Sequence, residues 1–489
     1  MTRTADPVPA TKPATVLDSA YWAVAALAAV IGLVLVIVPA WPAQLAGFAV
    51  VALAILMLVL GIHVGIAMMS AGALGLWNLA GADAVAVTFE DVAFSESASW
   101  SLSVVPLFVL MGVAMGRFNL TGKLFSAAEH WFGRVPGGLA VSTNLAGAGL
   151  AAASGSSIAI SYALGRTTIP EMLRAGYKPS LATGVVAASG SLGMLIPPSV
   201  VLVIYSSVTQ TPVGPQLLAA LVPGILMAVG YTAMIMIRCA LDPSLGPRSE
   251  RSFSWRERFA SLGNVVPVVL ILLVIIGGMY SGLFTPTEAG AFGAIAAIVL
   301  GWLFGGNRKA RHFGRTMLVS FRETASGVAS IFLLLMGVHV LTRAVTLSGI
   351  ADALTEGIVA LGLSRVGFLL LLVVAFLILG MFMDGLAIIF LTVPILMPVL
   401  ESFDIDLMWF GVFIVILVEL AMITPPIGVL SYIVHRISQN PDVSLGNEVR
   451  LSDVFKGIVW FVGVGAILLL ALIFFPDLAL WLPGNSSAQ

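Results

Sequence analysis

Cysteine, histidine and charged residues are scarce in this chain of 489 residues. It contains one cysteine, Cys239, and five histidines whose positions lack the spacing of metal ligands. A single cysteine excludes an intramolecular disulfide and a cysteine-based metal cluster, so we expect no metal-dependent enzyme. Charged residues make up only 10% of the chain and hydrophobic residues 59%, far outside the range of soluble globular proteins. The composition therefore predicts a polytopic membrane protein.

Two sequence patterns are also absent. The alternation of apolar and polar residues that is typical of outer-membrane barrel strands does not occur, whereas long apolar runs recur along the chain. Because lipid offers backbone groups no hydrogen-bond partner, such runs must form helices, and we predict an all-α fold. No phosphate-binding P-loop occurs, so we expect no use of ATP. We likewise expect neither enzymatic activity nor a nucleic-acid partner.

Basic residues are concentrated in two loops. They are Arg238, Arg248, Arg251, Arg256 and Arg258 in the first loop, and Arg308, Lys309, Arg311 and Arg315 in the second. The positive-inside rule predicts that both loops face the cytoplasm, so the segment between them crosses the membrane twice. Its turn is "TPTEAG", where Thr285 suits an N-cap and Glu288 a capping-box partner, which makes Glu288 a structural residue. Residues 81–102 hold four acids and no base, and we place them along the opposite membrane surface.

The chain begins with a polar, proline-containing tail. The apolar stretch behind it, residues 20–38, is long enough to span a bilayer, and we interpret it as an uncleaved anchor. The alternative is a signal peptide cleaved near "PAWPAQLA".

The sequence contains an internal repeat. Shifted by 228 residues, "LGMLIPPSVVL" at 192–202 falls on "LAMITPPIGVL" at 420–430, with six of eleven positions identical. The same shift places "SGSS" at 154–157 on "FMDG" at 382–385. Each copy therefore carries a small polar cluster followed, about forty residues later, by a pair of prolines. Paired interruptions of apolar helices indicate the midplane site of a secondary transporter, although a single proline kink would carry no such meaning.

The first polar cluster predicts a re-entrant hairpin. Only fourteen residues separate Ser157 from Pro170, about 20 Å of helix, whereas the hydrocarbon core is about 30 Å thick. We therefore predict hairpins with tips at residues 154–157 and 383–385, each facing the broken helix of its own copy.

These interruptions are rich in oxygen atoms. Proline lacks an amide proton, so carbonyls around residues 193–198 and 421–426 lose their helical partners. Hydroxyls of nearby serines and threonines and the carboxylate of Asp384 add to them, and oxygen ligands suit a hard cation such as sodium. Asp384 and Glu419 are predicted to lie within the membrane, where an ionised acid is costly. For Glu419 both a functional role and a structural hydrogen bond stay open.

The motifs together resemble those of the large membrane (M) subunit of the tripartite ATP-independent periplasmic (TRAP) transporters. They include "ASGSLGMLIPPSVVLVIY", "TPTEAGA", "GMFMDGLAIIFLTVPILMPV" and "ELAMITPPIG", in the family's order, and the resemblance runs from about residue 50 to the end. It implies an inverted-repeat, elevator-type, sodium-coupled importer of organic acids in the bacterial inner membrane. It also implies two partners, a small membrane (Q) subunit and a periplasmic substrate-binding (P) protein.

The resemblance further implies sodium sites where hairpin tips meet broken helices. Carried onto this sequence, site 1 comprises Ser154, Ser156, Ser157, Gly193, Ile196 and Pro198, and site 2 comprises Asp384, Ala421, Thr424 and Pro426. The substrate candidates are Ser191, Pro197, Gly385, Pro425, Arg166 and Thr167. For Arg166, a position at the cytoplasmic edge of the membrane is favoured over contact with a substrate carboxylate.

We predict seven regions along the chain. They are a polar tail with an extra transmembrane helix (1–50), scaffold helices of repeat 1 (51–135), transport elements of repeat 1 (136–206), connecting scaffold helices with the basic loops (207–325), scaffold of repeat 2 (326–360), transport elements of repeat 2 (361–436), and a C-terminal loop and helix (437–489).

Two other functions fit parts of the sequence. The same fold could serve a stand-alone sodium- or proton-coupled dicarboxylate symporter that needs no soluble partner, with Asp384 and Glu419 as proton carriers. A membrane enzyme or channel is disfavoured, because histidine and cysteine clusters are missing and two closed hairpin sites do not form an open pore.

Overall fold

The computed structural model describes residues 17–38, 41–249, 251–304, 310–381 and 383–486, and within these ranges all regular structure is helical. The helices of the first half are α1 (Leu17–Ile37), α2 (Ala43–Val59), α3 (Val64–Ser97), α4 (Val104–Arg117), α5 (Leu124–Phe132), α6 (Gly138–Ser154), α7 (Ser157–Arg174), α8 (Pro179–Gly190), α9 (Val200–Thr209) and α10 (Val213–Leu241). A short 3₁₀ helix, Ser101–Ser103, precedes α4. The predicted all-α fold is confirmed.

The helices of the second half are α11 (Trp255–Leu262), α12 (Val266–Leu272), α13 (Gly278–Tyr280), α14 (Pro286–Phe304), α15 (Ala310–Ser348), α16 (Ile350–Ala360), α17 (Arg365–Leu379), α18 (Gly385–Ser402), α19 (Leu407–Ile423), α20 (Val429–Ser438), α21 (Pro441–Ser444), α22 (Leu451–Phe474) and α23 (Asp477–Gly484). A π-helical turn, Leu273–Gly277, joins α12 to α13. In the described part of the chain, six helices are long and apolar enough to cross a membrane, or up to seven if one bent pair forms a single span. The chain is thus a multi-pass membrane protein.

Two helix boundaries follow the sequence closely. Helix α3 breaks at Gly81, whose φ of 80° is left-handed, and this is where the predicted surface segment begins. The "TPTEAG" turn forms the predicted capping box, in which Thr285 N–H donates to Glu288 Oε2 at 2.8 Å and Glu288 N–H to Thr285 Oγ1 at 3.3 Å. Glu288 is therefore a structural residue, as predicted. In the second basic loop, Arg308 and Lys309 lie outside the described residues, as does the polar tail before residue 17.

The chain folds into two compact units. The first consists of residues up to Glu90 together with Gly337–Ile350. In it, the Asn78 side-chain amide donates to the carbonyls of Leu35 at 2.8 Å and Val38 at 2.7 Å. Asn78 thereby caps the end of α1, so the predicted extra helix is an integral part of this unit.

The second unit, Asp91–Met336 with Ala351–Gln489, contains the hairpin and the helix break of both copies of the repeat. The helix starts keep the 228-residue shift, since Ser157 of α7 corresponds to Gly385 of α18 and Pro179 of α8 to Leu407 of α19. The second arm of each hairpin also packs against the other copy: α7 contacts α20, and α18 contacts α9. The prediction that each hairpin faces the broken helix of its own copy was therefore incomplete.

The predicted short hairpin arm was wrong in its length. Helix α7 continues through Pro170 to Arg174, and α18 continues through Pro394 and Pro398. The eighteen residues of α7 span about 27 Å at 1.5 Å per residue. The helix continues through its proline because a proline within a membrane helix removes one hydrogen bond without ending the helix when neighbouring groups compensate. The hairpin therefore depends on the break between α6 and α7 and on the packing of these two helices against each other, not on a short arm.

Candidate functional site

The tip of the first hairpin is formed by four consecutive small residues. Helix α6 ends at Ser154, and Gly155 adopts a left-handed conformation with φ of 59°, which glycine tolerates without steric cost. Ser156 is the N-cap of α7, and its Oγ accepts the Ala159 amide at 3.4 Å. Ser154 is exposed at this tip, whereas Ser157, the first residue of α7, is buried.

The first helix break separates α8 from α9 over residues 191–199. Its two prolines, Pro197 and Pro198, are joined by a cis peptide bond. Gly193 stands four residues before Pro197, which has no amide proton to donate, and its carbonyl has no hydrogen-bond donor among the described residues. The carbonyls of Ile196 and Pro197 likewise receive no donor from the described part of the chain. Unpaired main-chain oxygens therefore collect in this break.

The first tip and the first break are in direct contact. A methyl group on Gly193 would lie 2.7 Å from the Ser157 backbone nitrogen, and one on Gly155 would lie 3.8 Å from the Pro198 carbonyl oxygen. Only glycine at position 193 permits this approach, since real Cβ contacts are longer. The structure thus brings Ser156, Ser157, Gly193 and Pro198 of site 1 together.

The second hairpin tip repeats this arrangement with an acid in place of a serine. Asp384 is the N-cap of α18, and its Oδ1 accepts the Ala387 amide at 3.0 Å. A methyl group on Gly385 would lie 2.8 Å from Val418 Cγ1 and 3.1 Å from Met422 Sδ, so this tip packs on the end of α19. Both arms of the hairpin, α17 and α18, pack on α19, which leads into that break. Phe382, within this tip, lies outside the described residues.

The second helix break begins after Ile423. Ala421 stands four residues before Pro425, as Gly193 does before Pro197, and in the described residues its carbonyl accepts one long bond, from Thr424 N at 3.3 Å. Thr424 Oγ1 donates its proton to the Leu420 carbonyl at 2.6 Å, which leaves its lone pairs available to a cation.

The prolines of the second break are more exposed than those of the first. Pro425 is half-buried and Pro426 is exposed, and the Pro426 carbonyl accepts the Tyr432 hydroxyl at 3.3 Å. The two are joined by a cis peptide bond.

The donor set of both sites fits an alkali cation. It consists of backbone carbonyls and neutral hydroxyls, with one carboxylate, at Asp384, in site 2. These are hard oxygen ligands, and at each contact a glycine, Gly193 or Gly385, leaves a space that a side chain would fill. Sites 1 and 2 therefore have matching backbone geometry and differ in charge.

Glu419 lies between the two copies. Its side chain is only 2% exposed, and Oε1 accepts hydrogen bonds from the Ser157 hydroxyl and from Met194 N at 3.1 Å. Glu419 therefore forms structural hydrogen bonds, one of the two roles that the sequence left open, and both partners belong to the first copy of the repeat. Met194 was not among the predicted site residues, although the 228-residue shift places Glu419 on Ser191 and so puts the acid beside a helix break.

The substrate candidates occupy three different environments, of which Pro425, in the second break, occupies the half-buried one. Ser191, Pro197 and Gly385 are buried near the breaks, and Ser191 Oγ donates to the Ala188 carbonyl at 2.8 Å. Arg166 and Thr167 are exposed on α7, about 14 Å along the helix from Ser157 at 1.5 Å per residue. The structure therefore does not bring these two residues to the tip.

The sequence matches a known family over residues 50–478, described as "Tripartite ATP-independent periplasmic transporter, DctM component". It is 33% identical over 390 residues to a C4-dicarboxylate TRAP transporter large permease protein of Pseudomonas aeruginosa, covering 80% of this chain and 88% of that protein. It is also 33% identical over 344 residues to a sialic acid TRAP transporter large permease protein of Vibrio cholerae, covering 70% and 79%.

A solved structure shares the fold. The YdaH transporter of Alcanivorax borkumensis matches with a TM-score of 0.59 and 16% sequence identity, over 82% of this chain and 90% of that one. The family match spans the repeated breaks and both hairpins, and the relatives named above are transporter permeases. The chain therefore belongs to the DctM component family of TRAP transporters and is a multi-pass protein of the bacterial inner membrane.

Proposed function

We propose that this chain is the large permease subunit of a sodium-coupled TRAP transporter that imports a small organic acid. A periplasmic substrate-binding protein would deliver the acid, and a small membrane subunit on a separate chain would complete the permease. The observation that carries the proposal is that each hairpin tip packs against a broken helix: Ser157 meets Gly193 in the first break, and Gly385 meets Val418 and Met422 near the end of α19.

Sodium ions are cargo in this proposal. At site 1, the Gly193 and Ile196 carbonyls and the tip serines would bind one ion. At site 2, the Asp384 carboxylate, the Ala421 carbonyl and the Thr424 hydroxyl would bind another. Ion binding would order both tips and complete a pocket for an anionic substrate between them, lined by Gly385 and Pro197. The two hairpins and broken helices would then move as a block, as in an elevator.

The substrate class is supported by the relatives. Their names specify C4-dicarboxylates and sialic acid, and both are carboxylates. A carboxylate needs positive charge or oriented amides, and both tips lead into helix N-termini, those of α7 and α18. We therefore propose a carboxylate substrate, with its selection left to the binding protein.

Sodium binding can be tested on the purified chain. Thermal unfolding should be measured in NaCl, KCl and choline chloride at equal ionic strength. We expect the unfolding midpoint to rise with NaCl alone, because a ligand that binds only the folded state stabilises it by RT ln(1 + [L]/Kd). Equal midpoints in the three salts would contradict the sodium assignment.

Transport can be tested in proteoliposomes containing the chain with its small subunit. Uptake from a loaded binding protein should require an inward sodium gradient. Uptake that a pH gradient drives without sodium would favour proton coupling, and uptake by the chain alone at a normal rate would favour the stand-alone symporter.

A further inference from the structure

Glu419 belongs to the second copy of the repeat, yet its hydrogen bonds go to the first. Oε1 accepts from the Ser157 hydroxyl at the start of α7 and from the Met194 amide inside the first break. The other oxygen, Oε2, is buried and has no hydrogen-bond partner among the described residues. The polar bonds of this carboxylate in the described chain therefore all join α19 to site 1.

The same residues also reach the second hairpin. A methyl group on Gly385, beside Asp384, would lie 2.8 Å from Val418 Cγ1 and 3.2 Å from Met194 Cε. Met194 thus contacts the second tip with its side chain and Glu419 with its backbone. A continuous series of contacts, from Ser157 through Glu419 and Met194 to Gly385, links the two hairpin tips.

We propose that Glu419 is a positioning residue that couples site 1 to site 2. By holding the Ser157 tip and the Met194 amide against α19, it makes the geometry of one site depend on that of the other. A cation bound at site 2 orders the Ala421 turn of α19, two residues from Glu419, and so favours the closed arrangement of site 1. This inference rests on the proposed sodium-coupled function.

Two substitutions at position 419 distinguish the effect of side-chain length from the effect of charge. Glu419→Gln keeps an oxygen acceptor at the same distance from the backbone but removes the charge, whereas Glu419→Asp keeps the charge and withdraws it by one methylene. If position is what matters, Glu419→Gln should retain a wild-type Hill coefficient for sodium in uptake assays. Glu419→Asp should lower that coefficient toward one and raise the half-saturating sodium concentration about tenfold, as expected for losing a buried bond to a charged group.

Gln216→Leu provides a matched control. The Gln216 amide, also buried, donates to the Met408 carbonyl at 3.0 Å, at the opposite end of α19. Its loss removes a buried polar bond to the same helix, and the Hill coefficient should not change. The opposite pattern, with Glu419→Asp behaving as wild type and Glu419→Gln impaired, would overturn the positioning role in favour of a required charge.

Hydrogen–deuterium exchange separates this inference from the proposed function. In sodium-free buffer, amides of residues 154–162 should exchange faster in Glu419→Asp than in wild type and Glu419→Gln, because the tip is released. If wild-type uptake does not depend on sodium but this exchange pattern appears, the sodium proposal fails, whereas the positioning of the Ser157 tip by Glu419 is supported. Unchanged exchange in Glu419→Asp would contradict the positioning role of Glu419.

Discussion

At the scale of single residues, the two hairpin tips use the same local chemistry with different charge. Ser156 and Asp384 are equivalent under the repeat, and each caps the helix that follows it. Helix capping alone explains why a serine or an aspartate stands at these positions, so a capping bond does not identify either residue as a sodium ligand. What distinguishes Asp384 is the negative charge that it brings to a contact between a tip and a break.

Substitutions at Asp384 can separate capping from ion binding. Asparagine caps a helix as well as aspartate does, whereas alanine loses about 1 kcal/mol. If the charge binds sodium, Asp384→Asn and Asp384→Ala should both raise the half-saturating sodium concentration about tenfold, or about 1.4 kcal/mol. If capping is the only role, Asp384→Asn should match wild type in sodium-dependent uptake and unfolding.

Ser156→Ala is the corresponding change at the first tip. Its effect on sodium affinity should be smaller than that of Asp384→Ala, because the backbone carbonyls of the first break remain in place. An effect as large as that of Asp384→Ala would show that the hydroxyl is a principal ligand.

At the scale of helices, glycine decides how closely a tip and a break approach. The Ser157 amide leaves no room for a side chain at Gly193, and that contact involves backbone atoms that cannot rotate away. Overpacking at such a position costs about 1–3 kcal/mol and displaces the elements that meet there.

Gly193→Ala should therefore abolish sodium-dependent uptake and the sodium-induced rise of the unfolding midpoint. The matched control is Gly463→Ala in α22, where an added Cβ would meet no atom within 4 Å. That change should be neutral or stabilising by up to about 1 kcal/mol, since alanine is the better helix former. Full sodium dependence in Gly193→Ala would show that the first contact is not part of an ion site.

At the scale of the whole molecule, charge distribution predicts the orientation in the membrane. Cysteines placed at the exposed positions Ser252 and Ala98 in a Cys239→Ala background should label from opposite sides with a membrane-impermeant maleimide in intact cells. We expect Ala98→Cys to react from outside and Ser252→Cys only after permeabilisation, because the loop around Ser252 is rich in arginine. The reverse labelling pattern would invert the predicted topology.

The positions of the hairpin tips and helix breaks could be predicted from the sequence because they depend on local chemistry. Proline pairs lack amide protons, Gly155 tolerates a left-handed turn, and Ser156 and Asp384 cap helices, so the interruptions appear where these residues stand. These are properties of a residue and its near neighbours, and they hold in any helix. The 228-residue repeat then predicts that both copies share one backbone geometry.

Long-range packing decided what those local rules could not. Pro170 does not end α7, because whether a proline ends a helix depends on what surrounds the carbonyl that loses its hydrogen bond. The contacts of α7 with α20, of α18 with α9, and of Glu419 with Ser157 join residues more than 170 positions apart. No periodicity or local propensity encodes such contacts, because they depend on which helices become neighbours when the apolar faces pack together.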